Sequence, residues 1–270
     1  MNYKTALPGQ NHNVSHNHPL KEFLVLLVGV AGVVLLVFWG LGFAVDFTVD
    51  HLSPAREHAL FATFGSQFPV DPDIPAEEVA VLQGLTDSLA SCMEIRYPVE
   101  VRVFDSEIVN AFAFPGGIIV VFSGLLEKVK SENGLAFVLA HELGHYKKRD
   151  HLRGMGRGLV LATISTILTG ANSSISQMLV PTNEFGMAQY SQDSESAADS
   201  IALDTVHCYY GHVGGVTEFF ETMQQGSHGA DFGIGKYFDS HPQLVKRMGD
   251  LEDLVEKRSY SFGPTQNLSF

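Results

Sequence analysis

The chain has 270 residues, 45% of them hydrophobic, enough to bury the core of one domain of roughly 200 residues with appendages to spare. Its formal net charge of -13 and the lack of any basic stripe exclude a nucleic-acid binder, which needs cations to track phosphates. The two cysteines, Cys92 and Cys208, lie far apart without Cys-x-x-Cys spacing, so they make neither a zinc knuckle nor a disulfide framework; they read as two buried thiols in preference to the one bridge that an oxidising compartment would allow.

Residues 1–22 are polar and aperiodic, with His12, His16 and His18 among asparagines, and read as a mobile, solvated tail. From Phe23 to Val45 the chain is uncharged and apolar for long enough to cross the roughly 30 Å hydrocarbon core as a helix. It is too long for a typical cleaved signal, and Trp39 stands near its far end, so it reads as an uncleaved, single-pass anchor in a lipid bilayer. Lys4 and Lys21 precede it while Asp46 and Asp50 follow, which places the tail in the cytoplasm and the rest outside, on the periplasmic face if the membrane is a bacterial inner membrane. Residues 46–75 carry Pro54, Pro69, Pro72 and Pro75 and read as a linker with one short helix, Ala55 to Phe64.

Residues 76–260 then read as the catalytic domain. Ala76 to Met93 has Val79, Leu82, Leu85 and Leu89 at helical spacing. Beyond it the period becomes two, in Val99 to Phe104, Ile108 to Phe114 and Ile118 to Phe122, the last two meeting across Pro115-Gly116-Gly117. The expectation is a small antiparallel sheet, open to two readings: a core hairpin, or a sheet in which Asn110, Ala111, Phe112 and Ala113 form an exposed edge that a peptide could join as a further strand. Ser123 is expected to cap a short helix and Asn133 the long one that follows.

That long helix carries Leu139-Ala140-His141-Glu142-Leu143-Gly144-His145. His141 and His145 fall one turn apart on one face, where two imidazoles can share a zinc ion, and Glu142 can take a proton from a water beside the metal. Leu159 to Leu168 is apolar but short and hydroxyl-rich, a helix packed on the domain or lying at the membrane surface, and residues 171–181 read as a loop able to cover the cleft. Two candidates exist for a third ligand. His151 has metzincin spacing from His145, but Lys148 stands where a glycine should turn the chain back, and on a continued helix His151 would point away. Glu195 is the better candidate, because Asp199 lies one turn on, placed to accept the free N–H of a ligating imidazole, and Ala197, Ala198 and Ala202 allow close packing on another helix. Two further helices, Gly214 to Met223 and Gln243 to Lys257, close the core, and the residues from 258 onward read as a frayed tail, with 261–270 outside the domain.

Four ordered blocks give the chain a resemblance to a known family: Asn110-Ala111-Phe112-Ala113-Phe114-Pro115-Gly116-Gly117, the His-Glu-x-x-His helix with Arg149-Asp150-His151, Glu195-Ser196-Ala197-Ala198-Asp199, and Ser240-His241-Pro242 with Arg247. It resembles the membrane-associated gluzincin peptidases that include the HtpX-type, BepA-type and CAAX prenyl proteases, over about Val99 to Met248. The resemblance implies a mostly helical α+β zincin-like domain and one zinc held by His141, His145 and Glu195, with Glu142 as base and acid. It implies that His241 contacts the oxyanion or comes to the metal in a resting state. It also implies a metalloendopeptidase acting on polypeptides in membrane or envelope protein quality control. The chain departs from the family at Gln192 and Ala197, where charged residues are usual. A second reading keeps the zinc but makes the protein a proteolytically silent holdase or assembly factor that captures extended polypeptides on the edge strand; retention of Glu142 argues against it.

Overall fold

The structure is a computed structural model that describes residues 18–65, 71, 74–169, 190–226, 241 and 243–269. The N-terminal tail through residue 17, the expected cleft loop at 171–181, and Ser240 and Pro242 lie outside the described residues.

The apolar segment forms α1 (Pro19–His51), longer than the anchor read from composition because Asp46, Phe47 and the residues up to His51 continue the helix. Its side chains are almost all exposed, as a helix whose solvent is lipid requires. The helix expected inside the linker is α2 (Pro54–Gly65), followed by α3 (Ala76–Cys92). Three strands, β1 (Glu100–Phe104), β2 (Ala111–Phe114) and β3 (Ile118–Phe122), form a sheet in the order β1-β3-β2.

The sheet is mixed rather than antiparallel. β2 and β3 make the expected hairpin, with Ala113 opposite Ile119, but β1 runs parallel to β3. Residues 105–110 carry the chain past the position of β3 to the far edge before it turns back, so β3 inserts in the same direction as β1. One face, with Val101, Val103, Ala111, Ala113, Ile119 and Val121, joins the main core; Phe112, Ile118, Val120 and Phe122 form a smaller cluster on the other.

The short α4 (Ser123–Lys128) leads to the central helix α5 (Glu132–Lys148). Neither expected cap is observed. Phe122 occupies the cap position of α4, and Ser123 Oγ instead accepts from Ser106 N. For α5, Ser131 Oγ accepts the backbone N–H of Gly134, while the buried Asn133 uses Oδ1 to accept from Gln266 N. α5 is buried all round over residues 133–146, which is why its sequence shows little amphipathic contrast. After it come α6 (Asp150–Thr169), α7 (Gln192–Tyr210), α8 (Glu218–Gly226) and α9 (Leu244–Arg258).

Two further expectations are corrected. Cys92 and Cys208 are bonded in a disulfide, because α3 and α7 end side by side with Cα atoms 6.0 Å apart, a proximity that sequence separation hides. The C-terminal residues do not fray. Ser261 O accepts from Val213 N, Gln266 O accepts from Glu132 N, and Leu268 packs on the core, so this strip straps the start of α5.

Candidate metal centre

The centre is built where α5 crosses α7. Gly144 faces Ala198 so closely that a side chain on it would sit 3.2 Å from the Ala198 Cα, and this small-residue contact lets the two backbones approach. On α7, Glu195, Ala198, Asp199, Ala202 and Val206 share the buried face at helical spacing. Glu195 and Asp199 therefore arrive together at the turn of α5 that bears His141 and His145.

His141 Nε2 and His145 Nε2 lie 3.0 Å apart, and Glu195 places one oxygen 3.2 Å from His145 Nε2 and the other 3.6 Å from His141 Nε2. His241, from the segment before α9, brings Nδ1 to 3.0 Å from Glu195 Oε1 and 3.4 Å from His141 Nε2. All four residues are buried, and their ligand atoms lie within 4.8 Å of one another. Ligands bonded at about 2.0–2.1 Å to one tetrahedral zinc lie about 3.3 Å apart, so this cluster has the right dimensions. The remaining ring nitrogens fix the tautomers: His141 Nδ1 is 2.8 Å from Asp199 Oδ1 and His145 Nδ1 is 3.1 Å from Asp150 Oδ2. With each Nδ1–H donated to a carboxylate, each Nε2 presents its lone pair to the cluster centre. Two imidazoles and a carboxylate are a donor set that suits zinc.

Arg247, on α9, ties the carboxylates together. Its Nη2 donates to Asp199 Oδ1 at 2.6 Å, its Nε to Asp199 Oδ2 at 2.7 Å, and its Nη1 lies 2.5 Å from Glu195 Oε2. Burial opposes ionisation of Asp199, but hydrogen bonds and charge from Arg247 and His141 outweigh it and hold the carboxyl below its ordinary range. Burial likewise works against Glu195, and the imidazoles of His241, His145 and His141 hold its carboxyl well below that range. For His145, burial disfavours the cation, yet hydrogen bonds to Asp150 and Glu195 push the metal-free imidazole up to about 9.

Glu142 stands beside the cluster, fully buried. Its Oε2 accepts the backbone N–H of Ala113 at 3.1 Å, while Oε1 accepts no hydrogen bond among the described residues and lies 3.5 Å from His241 Nε2. The Ala113 contact reveals the orientation of β2. Asn110 O accepts from Phe122 N, so with this register Ala111 and Ala113 aim their N–H groups away from β3. The outward N–H of Ala111 is met by Asn110 Oδ1 at 2.9 Å. The outer edge of the sheet thus runs along Asn110, Ala111, Phe112 and Ala113 beside Glu142, but it is not the exposed edge expected: all four residues are buried, and the outward N–H groups of Ala111 and Ala113 are already met by Asn110 Oδ1 and Glu142 Oε2.

The sequence-derived residues His141, Glu142, His145, Glu195, Asp199 and His241 are therefore brought together with the Asn110–Ala113 edge. His151 is not among them. It is buried on the far side of the α5–α6 corner with Nε2 3.1 Å from Glu57 Oε1, because Arg149 takes a left-handed conformation at the end of α5 and α6 starts in a new direction. Gln192 is exposed at the start of α7 and Ala197 lines a groove against α9, so neither departure touches the cluster. Three residues had no individual role in the sequence reading. Asp150 and Arg247 are signalled only by their place in the blocks that carry the resemblance, and Tyr190, which stacks on the His145 ring at 3.9 Å, by nothing in the pattern.

Comparison with known proteins agrees with this geometry. The family model described as peptidase family M48 matches residues 76–255. Among similar proteins, the metalloprotease YcaL of Escherichia coli K12 is 28% identical over 165 residues, covering 58% of this chain and 63% of that protein. The mitochondrial metalloendopeptidase OMA1 of Arabidopsis thaliana is 33% identical over 150 residues, covering 55% and 30%. The beta-barrel assembly-enhancing protease of Yersinia pestis is 30% identical over 130 residues, covering 44% and 26%. The aligned part thus spans between about a quarter and two thirds of these relatives. The match to the family model covers two thirds of the sequence and includes both helices that cross at the centre, and on that basis the chain belongs to peptidase family M48.

Proposed function

We propose that the protein is a membrane-anchored zinc metalloendopeptidase in which His141, His145 and Glu195 hold the metal and Glu142 is the general base. The observation that carries this reading is the asymmetry of Glu142, with one carboxylate oxygen anchored on the sheet edge and the other facing His241 at 3.5 Å with no hydrogen bond among the described residues. Zinc bound there supplies a Lewis acid that polarises a scissile carbonyl and acidifies water. Glu142 Oε1 takes the proton of the attacking water and passes it to the departing amine. A substrate strand lies along Asn110–Ala113 and donates to the outward carbonyls of Ala111 and Ala113, whose N–H groups are already met by Asn110 and Glu142, and this sets the register of the scissile bond. Asp199 and Asp150 hold the two imidazoles in orientation, and Arg247 keeps Asp199 ionised while bridging it to Glu195.

His241 is within reach of both Glu195 and Glu142, so it serves either as a resting-state ligand or as a donor to the oxyanion. The relatives named as a beta-barrel assembly-enhancing protease and a mitochondrial metalloendopeptidase support a role in membrane or envelope protein quality control. The Cys92–Cys208 disulfide supports an extracytoplasmic catalytic domain, because such bonds persist in oxidising compartments, and it does so independently of the two lysines before the anchor.

The test is Glu142→Gln in the full chain. Cleavage of an unfolded protein substrate falls by roughly a thousandfold while bound zinc stays at one per chain. Full cleavage by that variant overturns the reading; full biological function without cleavage favours the holdase. Maleimide labelling of Cys92 and Cys208 in intact cells, absent until a reductant is added, checks the compartment.

A further inference from the structure

α6 does not pack on the catalytic domain as an ordinary surface helix. It runs back along α1, antiparallel to it: Arg153 pairs with Asp50 at 2.5 Å, and one turn on Arg157 pairs with Asp46 at 3.1 Å. Between these levels Gly156 lies so close to Val45 that a side chain there would meet its Cγ1 at 2.5 Å, so the two helices are in close contact where the apolar part of α1 begins. At the corner before α6, Arg149 donates to Val49 O at 2.6 Å and also to Leu52 O, which fixes the end of α1 to the end of α5.

Beyond Arg157 the character of α6 changes. Residues 158–169 contain no ionisable group, and Leu159, Leu161 and Ile167 are 62%, 40% and 77% exposed. The hydroxyl of Thr163 is satisfied within the helix by Leu159 O at 2.8 Å. These twelve residues extend roughly 18 Å along α1, beside its exposed apolar stretch. The last charged pair, Arg157–Asp46, stands where both helices turn uncharged, the level at which charged groups can remain in the aqueous interface. A helix of this length cannot cross a hydrocarbon core of about 30 Å, but it can enter one.

We propose that the second half of α6 is inserted in the bilayer beside α1, so that lipid acyl chains cover Leu159, Leu161 and Ile167 and the anchor is a two-helix wedge rather than a single span. The four charged residues of the Asp46, Asp50, Arg153 and Arg157 ladder sit at the membrane surface, and the wedge holds the α5 corner there. His145 lies one helical turn, about 6 Å, from that corner, which keeps the metal centre close to the bilayer. This rests on the reading of α1 as a membrane anchor.

The test uses the full chain with its disulfide, carrying single replacements Leu159→Cys, Ile167→Cys, Leu36→Cys on α1 and Val245→Cys on the exposed side of α9. Each is labelled with an environment-sensitive fluorophore in mixed phosphatidylethanolamine and phosphatidylglycerol vesicles. Labels at 159 and 167 are expected to be quenched by acyl-chain nitroxide lipids as the label at 36 is, and to lose iodide quenching roughly fivefold relative to 245. Iodide quenching at 159 and 167 equal to that at 245 overturns the proposal, and so does protection from both quenchers, which would mean that protein covers this face. Failure of the label at 36 to meet lipid would show instead that the anchor reading itself is wrong.

Discussion

Two buried histidine–carboxylate clusters flank the end of α5, and they have opposite characters. On one side His141 and His145 each give Nδ1 to a carboxylate and keep Nε2 for a common centre that Glu195 and His241 also face. On the other, His151 spends Nε2 on Glu57, whose Oε1 also accepts from Gly116 N, and its ring stacks on Tyr146. The histidines of both clusters are buried, and His151 follows His145 by only six residues. Burial beside a carboxylate therefore does not make a ligand; convergence of unspent lone pairs does. The second cluster is a bolt that fastens α2 to the Gly116 turn and the α5–α6 corner.

The sharpest way to break this contrast is to exchange the roles. Glu195→Ala should lower zinc affinity by more than about a hundredfold, since it removes a ligand rather than a group that merely orients one. His151→Ala should leave zinc at one per chain, measured by metal analysis after dialysis against a weak chelator. Zinc loss from His151→Ala with retention in Glu195→Ala would invert the two clusters and restore the metzincin arrangement.

A smaller effect probes the orienting carboxylate. Asp199→Asn keeps the size of the side chain but removes the charge that both His141 Nδ1 and Arg247 use. Zinc affinity should fall by roughly ten- to a hundredfold, with kcat reduced through lost occupancy and restored at saturating metal. An unchanged affinity would mean that Asp199 serves Arg247 alone.

The contrast also marks how far the sequence could be read. The pair His141 and His145 is legible because helical period fixes their face, and Glu195 with Asp199 because a second helix with alanines at matched spacing needs a close partner. The β2–β3 hairpin was legible from strand period and the Gly116-Gly117 turn, though the burial of its Asn110–Ala113 segment and the parallel pairing of β1 were not, since tertiary packing and the crossover have no periodic signal. The Cys92–Cys208 bond, Arg247 on Asp199 and Glu57 on His151 all join residues dozens of positions apart through tertiary packing, and no local pattern announces them. Tyr190 is invisible for the same reason: only the folded chain stacks it on His145.

The smallest effect concerns the bolt and is one of stability. Burial alone would raise the carboxyl of Glu57, but the hydrogen bond and charge of His151, then Gly116 N and Arg149, outweigh it and hold the group below its ordinary range. A lowered folded value means that the charged form stabilises the fold at every pH above the ordinary value near 4.5, and that this contribution fades as pH falls through the lower folded value. Glu57→Gln keeps a polar group of the same shape but removes the charge, so it should cost about 1–2 kcal/mol at neutral pH. The difference from the parent in denaturant melts should then narrow in acid below pH 4.5. Zinc content at neutral pH should be unaffected. If it falls instead, the bolt and the metal centre are coupled through α5, and the division between the two clusters is one of distance rather than of function.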